Sequence, residues 1–254
     1  MGQAKSEALQ LRPLWAGLVA APWMLGVLLF VLVAAWRGAL MLGSSRGTGP
    51  WMVVHFVTLM AIPFVFLSRH GRSQIGLTAR FRARWVLWGV VSGVLAAVGT
   101  GMLGLLLFAR SPDNWYVTVG ATMLGDPRLR SLPPEALFLA LAIPAALFSP
   151  VGEELFFRGV FHESIAGHAG HGVAAVVTGS SFGLMHVFHH GISAGPAGVD
   201  VRVVSGLFWV LLTLGLGLML TACRRRSGSI WPAVLCHAAF NVTMVGFIIV
   251  SVTP

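Results

Sequence analysis

Three short segments in the second half of the chain carry residues able to do acid–base chemistry, each at a helical spacing. "GEELFFRG" holds Glu153, Glu154 and Arg158, "FGLMH" holds Phe182 and His186, and "HAAFN" holds His237 and Asn241. A carboxylate beside an imidazole can take a proton from water and pass it on. An imidazole and an amide can donate hydrogen bonds to an oxygen that gains charge. Residues four apart share a helix face, so Glu154 and Arg158 form a pair while Glu153 points well away from Arg158. The expectation is that Arg158 neutralises Glu154 and leaves Glu153 available, so that a Glu153→Gln change removes chemistry and spares stability.

These groups sit in unusual company. The chain has 254 residues, 56% of them hydrophobic and only 10% charged, with a mean hydropathy of +0.83. Its apolar stretches repeatedly approach the roughly 20 residues that a helix needs to cross a bilayer. The fold expected is therefore all-α, a polytopic membrane helix bundle of about seven transmembrane helices (six to eight), forming one integral membrane domain over residues 1–254. The spans read as Pro13 to Trp36, Pro50 to Leu67, Trp85 to Phe108, Pro134 to Ser164, Gly172 to Phe188, Val203 to Ala222, and Ile230 to Val250. The first is longer than a signal-peptide core and is read as a retained helix.

Ionisable groups at membrane depth cost roughly 2.5–3.5 kcal/mol each on insertion scales, so they face a bundle interior or a wet cavity. Ser149 followed by Pro150 reads as an N-cap with proline at the first helical position, which predicts a kink or restart just before the glutamates. With helices rising 1.5 Å per residue, Glu153, His186 and His237 fall roughly 10–20 Å from the cytoplasmic ends of their spans, close enough in depth to meet. Taken singly, each has an ordinary structural use as a helix–helix hydrogen bond or ion pair. Their conjunction is what points to chemistry. His189, His190, His162, His168 and His171 fall at span ends or in loops and are given no role, and His55 is a lone polar residue in span two.

The formal charge of +9 does not indicate nucleic-acid binding, because the arginines lie between spans rather than on one soluble face. They report topology instead. The N-terminus and the loops after spans two, four and six carry Lys5, Arg12, Arg69, Arg72, Arg80, Arg82, Arg84, Arg158 and Arg224 to Arg226, eleven positives against six on the other side. The positive-inside bias then puts the N-terminus in the cytoplasm and the C-terminus outside. Ser111 to Pro133 is the longest polar stretch, with room for a short surface helix, and the connector "HHGISAGPAGVD" reads as a loop. Gly89 and Gly93 allow close helix approach. Trp51, Trp85 and Trp231 suit the membrane interface. Cys223 and Cys236 have no metal or redox spacing and read as buried thiols.

The three motifs, in this order and spacing, resemble those of the CPBP intramembrane proteases (the ABI family), which include the type II CAAX prenyl endopeptidases and bacterial self-immunity proteins. The family's EExxxR looks like Glu153, Glu154 and Arg158, its FxxxH like Phe182 and His186, and its HxxxN like His237 and Asn241. The resemblance covers about residues 145–245. It implies a protease (an endopeptidase of a metalloprotease family), a bacterial plasma-membrane location, and a membrane-associated protein or peptide substrate, prenylated or not. The first half of the chain adds only hydrophobic spans and basic loops.

Peptide hydrolysis needs an activated water, a stabilised oxyanion and a proton for the leaving amine. Glu153 is assigned as general base and His186 as its partner in positioning water and moving protons. His237 and Asn241 are the oxyanion donors, with Glu154 and Arg158 as structural support. No cofactor is favoured. Zinc or another divalent metal held by Glu153, His186 and His237 is the close alternative, disfavoured because it leaves no general base. A proton-coupled transport or ion site, or a non-catalytic membrane scaffold or immunity protein, remains as a different reading of the same groups.

Overall fold

The computed structural model describes residues 7–43, 49–80, 83–195 and 198–251; Lys5 and Arg82, which enter the charge balance, lie outside them. In chain order the elements are α1 (Pro13–Leu18), α2 (Pro22–Gly43), α3 (Gly49–Phe66), α4 (Arg69–Gln74), α5 (Ala83–Phe108), α6 (Trp115–Met123), α7 (Pro127–Arg130), α8 (Pro134–Glu154), a π-helical run Leu155–Phe161, α9 (His162–Met185), one 3-10 turn His186–Phe188, β1 (Ile192–Gly195), β2 (Gly198–Val201), α10 (Val203–Ser227) and α11 (Trp231–Ser251). The protein is an all-α membrane bundle. Five of its helical units are long and apolar enough to cross a bilayer, and α3 is a shorter apolar helix.

Local chemistry sets most boundaries. Proline opens α1, α7 and α8, where its missing N–H is no loss. Side-chain oxygens of Ser68, Asn114 and Asp126 cap α4, α6 and α7. Gly228, at φ 75°, ends α10 by donating its N–H to the Arg224 carbonyl.

Three boundaries differ from the sequence expectation. The first long helix begins at Pro22 and runs to Gly43, because α1 ends at Leu18; Arg37 therefore falls inside it. No restart occurs at Ser149: α8 passes through Pro144 and Pro150 unbroken, and the change in winding comes only after Glu154, as the π run. Residues 134–188 are one helical unit whose kink sits at Gly170, with φ 81° and ψ 160°. That angle, open to glycine, turns spans four and five into a hairpin. The connector before α10 is a two-stranded antiparallel hairpin, Ile192 pairing with Val201, rather than a loop.

The polar stretch after α5 does form short helices. In α6, Trp115 and Tyr116 are fully buried and donate to the carbonyls of Thr100 and Ala97. Close packing of α5 on α11 uses the expected glycines: a Cβ at Gly89 would stand 2.7 Å from the Pro232 carbonyl oxygen, and one at Gly93 would overlap that of Cys236. Cys223 and Cys236 are buried free thiols.

One end of the bundle gathers the N-terminal segment, the 67–80 connector and the turn after α10. Leu11 bridges to Leu67, the Ile230 N–H donates to the Gly76 carbonyl, and Arg224 donates to the Ile75 and Gln74 carbonyls. These are segments that the alternating topology puts on one side. Arg158 does not belong to the loop count, since it is buried within the bundle, and neither does Arg37 on the opposite tally.

Candidate functional site

Gly152 brings the glutamates into place. A Cβ there would lie 2.7 Å from the Phe56 carbonyl oxygen, so only glycine lets α8 press onto the backbone of α3. The next two residues, Glu153 and Glu154, are completely buried. A charge at such a position must be paired or it is very costly.

Each glutamate has its own arginine. Glu154 Oε1 accepts from Arg158 Nη1 at 3.1 Å, the pair expected from the spacing. Glu153 is not left alone, however: its Oε1 accepts from Arg37 Nη1 of α2 at 2.8 Å, with both side chains buried. The same guanidinium donates from Nη2 to His189 Nε2 at 2.6 Å and lies 5.5 Å over the Phe56 ring. Arg37 and His189 are site residues that the sequence reading passed over. The available signal was an arginine within an apolar run, hidden by closing the first span at Trp36.

The two arms converge on Phe182. Its ring centroid lies 4.3 Å from that of His186 and 5.9 Å from that of His237, and the Arg158 guanidinium carbon stands 4.1 Å over it. His186 Nδ1 is 2.7 Å from the Phe182 carbonyl oxygen, so Nδ1 carries the proton and Nε2 is left with a lone pair. The His186 ring also meets His189, with centroids 5.0 Å apart, and Trp209 Nε1 donates to the His186 carbonyl. His237 Nδ1 donates to Glu154 Oε1 at 2.9 Å, leaving its Nε2 to face another partner. Asn241 Nδ2 donates to the Ala145 carbonyl at 3.0 Å, tying α11 to α8 beside its internal prolines.

Several polar atoms in this cluster have no hydrogen-bond partner among the described residues. They are Oε2 of both glutamates, Nε of both arginines, Arg158 Nη2, and both nitrogens of His55. His55 is fully buried on α3, its ring set edge-on to Trp36 at 4.9 Å. Unpaired buried polar atoms are rare in folded proteins and call for a functional explanation. A buried carboxylate with one oxygen fixed and the other unengaged is arranged to accept a proton.

The fit of a metal to the expected ligands is a matter of distance. Among the described residues, the one group of three His, Cys, Asp or Glu side chains with ligand atoms within 4.8 Å of one another is His162, Glu163 and His171. Glu153, His186 and His237 are not so placed, and Arg37 occupies the Glu153 oxygen with a fixed positive charge. As arranged, these three do not fit a tetrahedral ion.

Comparison with known proteins agrees with the motif reading. Neither a curated protein nor a solved structure matches the chain. A family model does: residues 135–243 match the one described as type II CAAX prenyl endopeptidase Rce1-like. All three motifs, from Glu153 to Asn241, lie within that stretch, and residues 135–243 are accordingly similar to the Rce1-like type II CAAX prenyl endopeptidases.

Proposed function

We propose that the protein is an intramembrane endopeptidase that hydrolyses a peptide bond of a membrane-associated protein or peptide substrate, with water activated by Glu153 and His186. The observation that carries this reading is the division of labour at the adjacent glutamates. Oε2 is unengaged in both, but Oε1 of Glu154 is shared by Arg158 and His237, whereas Oε1 of Glu153 has Arg37 alone. Glu153 Oε2 takes the water proton as the oxygen attacks the scissile carbonyl, a contribution typically worth about 100- to 10,000-fold. His186 accepts that proton at Nε2 from Glu153 and returns it to the leaving amine as the C–N bond of the tetrahedral intermediate breaks.

The oxyanion falls to His237 and Asn241. Because His237 Nδ1–H already points at Glu154, its Nε2 donates to substrate only as imidazolium. Asn241 adds its second amide hydrogen while the first stays on Ala145. A zinc-dependent version with Glu153, His186 and His237 as ligands would have to draw these groups closer together than they stand and add a dication beside Arg37, so we favour water activation by side chains alone. Elemental analysis of active enzyme, through chelation and restoration, separates the two.

The test of the function is mass spectrometry of membrane peptides from cells carrying wild-type protein or His186→Ala. New termini that depend on His186 support an endopeptidase and identify its substrate. Identical peptide sets overturn it. A second reading, proton-coupled transport, draws on Glu153, His189 and His186, gathered around Arg37, since intramembrane Glu and His groups also form proton relays. It predicts proton or substrate flux in sealed vesicles with no bond cleaved.

A further inference from the structure

His162 opens α9 directly after the π run, Glu163 follows it, and His171 stands just past the Gly170 kink. The kink folds the chain back so that ligand atoms of all three lie within 4.8 Å of one another. His162 Nε2 and His171 Nδ1 are 3.3 Å apart. In a tetrahedral ion with Zn–N bonds of about 2.0–2.1 Å, two ligand atoms are separated by about 3.3 Å, so the imidazoles already stand at ligand spacing. As a plain hydrogen bond, the same contact satisfies only half of His162. That ring is fully buried, and its Nδ1 has no partner among the described residues.

Glu163 is free to complete the set. Its nearest cation is Arg224 at 3.5 Å, the limit of a hydrogen bond. The Arg224 guanidinium is instead anchored to the Ile75 and Gln74 carbonyls at 2.9 and 2.7 Å, so the carboxylate can turn toward the imidazoles without leaving a buried arginine unpaired.

We propose that His162, Glu163 and His171 bind a divalent transition ion of the zinc type, at a site distinct from the cluster around Glu153. Two imidazoles and a carboxylate leave a fourth position for water. Glu163 offsets one of the two positive charges, and the nearby Arg224 lowers the affinity below that of closed four-ligand sites, so the ion exchanges. Its ligands flank Gly170. Binding fastens the helix that carries Glu153, Glu154 and Arg158 to the helix that carries Phe182 and His186, and so sets the angle at which the motifs meet.

The experiment uses full-length protein in detergent, stripped with chelator. Zn²⁺ is titrated against a chromophoric competitor, and Co²⁺ is followed by its visible absorption. Wild type is expected to bind one equivalent. His171→Ala should weaken binding by more than about tenfold and abolish the tetrahedral Co²⁺ spectrum. His171→Cys should retain the ion and gain a thiolate–Co²⁺ band, whereas His186→Ala should bind like wild type. Equal melting temperatures of metal-free wild type and His171→Ala show that the loss is one of ligation, as expected for a residue that is only partly buried. The proposal is overturned if wild type takes up no Zn²⁺, if His171→Ala binds unchanged, or if His186→Ala abolishes binding, which would move the ion to the other cluster.

Discussion

Arg37 Nη1 lies 2.8 Å from Glu153 Oε1, joining α2 to the end of α8 across 116 residues of sequence with both side chains shut off from solvent. Glu153 therefore has a buried arginine of its own, as Glu154 does, and removing either partner leaves a buried charge uncompensated. Arg37→Met and Glu153→Gln should each lower stability by about 3–5 kcal/mol, whereas the double variant should lose much less than the sum. Unfolding of the four proteins of the cycle in detergent measures this. Additive losses would mean that the pair is not formed, and a Glu153→Gln protein as stable as wild type would restore the expectation drawn from sequence alone.

Asn241 has two possible uses, and volume-conserving replacement separates them. Asn241→Leu loses the hydrogen bond to Ala145, worth about 1 kcal/mol, and any donation to substrate. An oxyanion donor is worth about 100- to 1,000-fold in kcat. The expected outcome is a kcat loss of that size with only a small fall in melting temperature. Activity that merely tracks the melting temperature would reduce Asn241 to a tie between α11 and α8.

Gly93 faces the backbone of α11 one residue before His237, with no room for a Cβ beside the Cys236 carbonyl. Gly93→Ala should push the two helices apart, lowering stability by about 1–3 kcal/mol and lowering activity through His237. Gly99, on the same helix, has nothing within 4 Å of a built Cβ, so Gly99→Ala should match wild type. Melting temperatures and turnover of the two variants decide it.

The charge bias predicts the membrane orientation, and the buried native cysteines give a quiet background for labelling. Ser73→Cys, exposed in α4, should react with an impermeant maleimide only after cells are opened. Asp200→Cys, exposed on β2, should react on intact cells. Reversed accessibility would invert the topology. Gly71 is unsuitable as a probe, since a side chain there meets the Gln10 carbonyl.

Much of the fold was legible because bilayer thickness fixes helix length, so apolar runs announce their helices whatever packs beside them. The Glu154–Arg158 pair was legible because i,i+4 geometry is local. Arg37 was not, since its partner lies 116 residues away and only the true helix start at Pro22 places it inside. The Ser149–Pro150 restart failed for a related reason. A proline costs one intrahelical bond, but Gly152 lets α8 pack closely on α3, and the helix continues through it. His162 and His171, nine residues apart, share no helical face, and only the backbone reversal at Gly170 brings them together.

The π run directly after Glu154 has a mechanical meaning. A π turn closes its backbone bonds one residue later than an α turn, so side chains beyond the junction are rotated relative to a continuous α-helix. Glu154 is the last residue on one side of that boundary and Arg158 stands on the other. Their ion pair therefore spans the change of winding and ties the last α turn to the π turn that follows it.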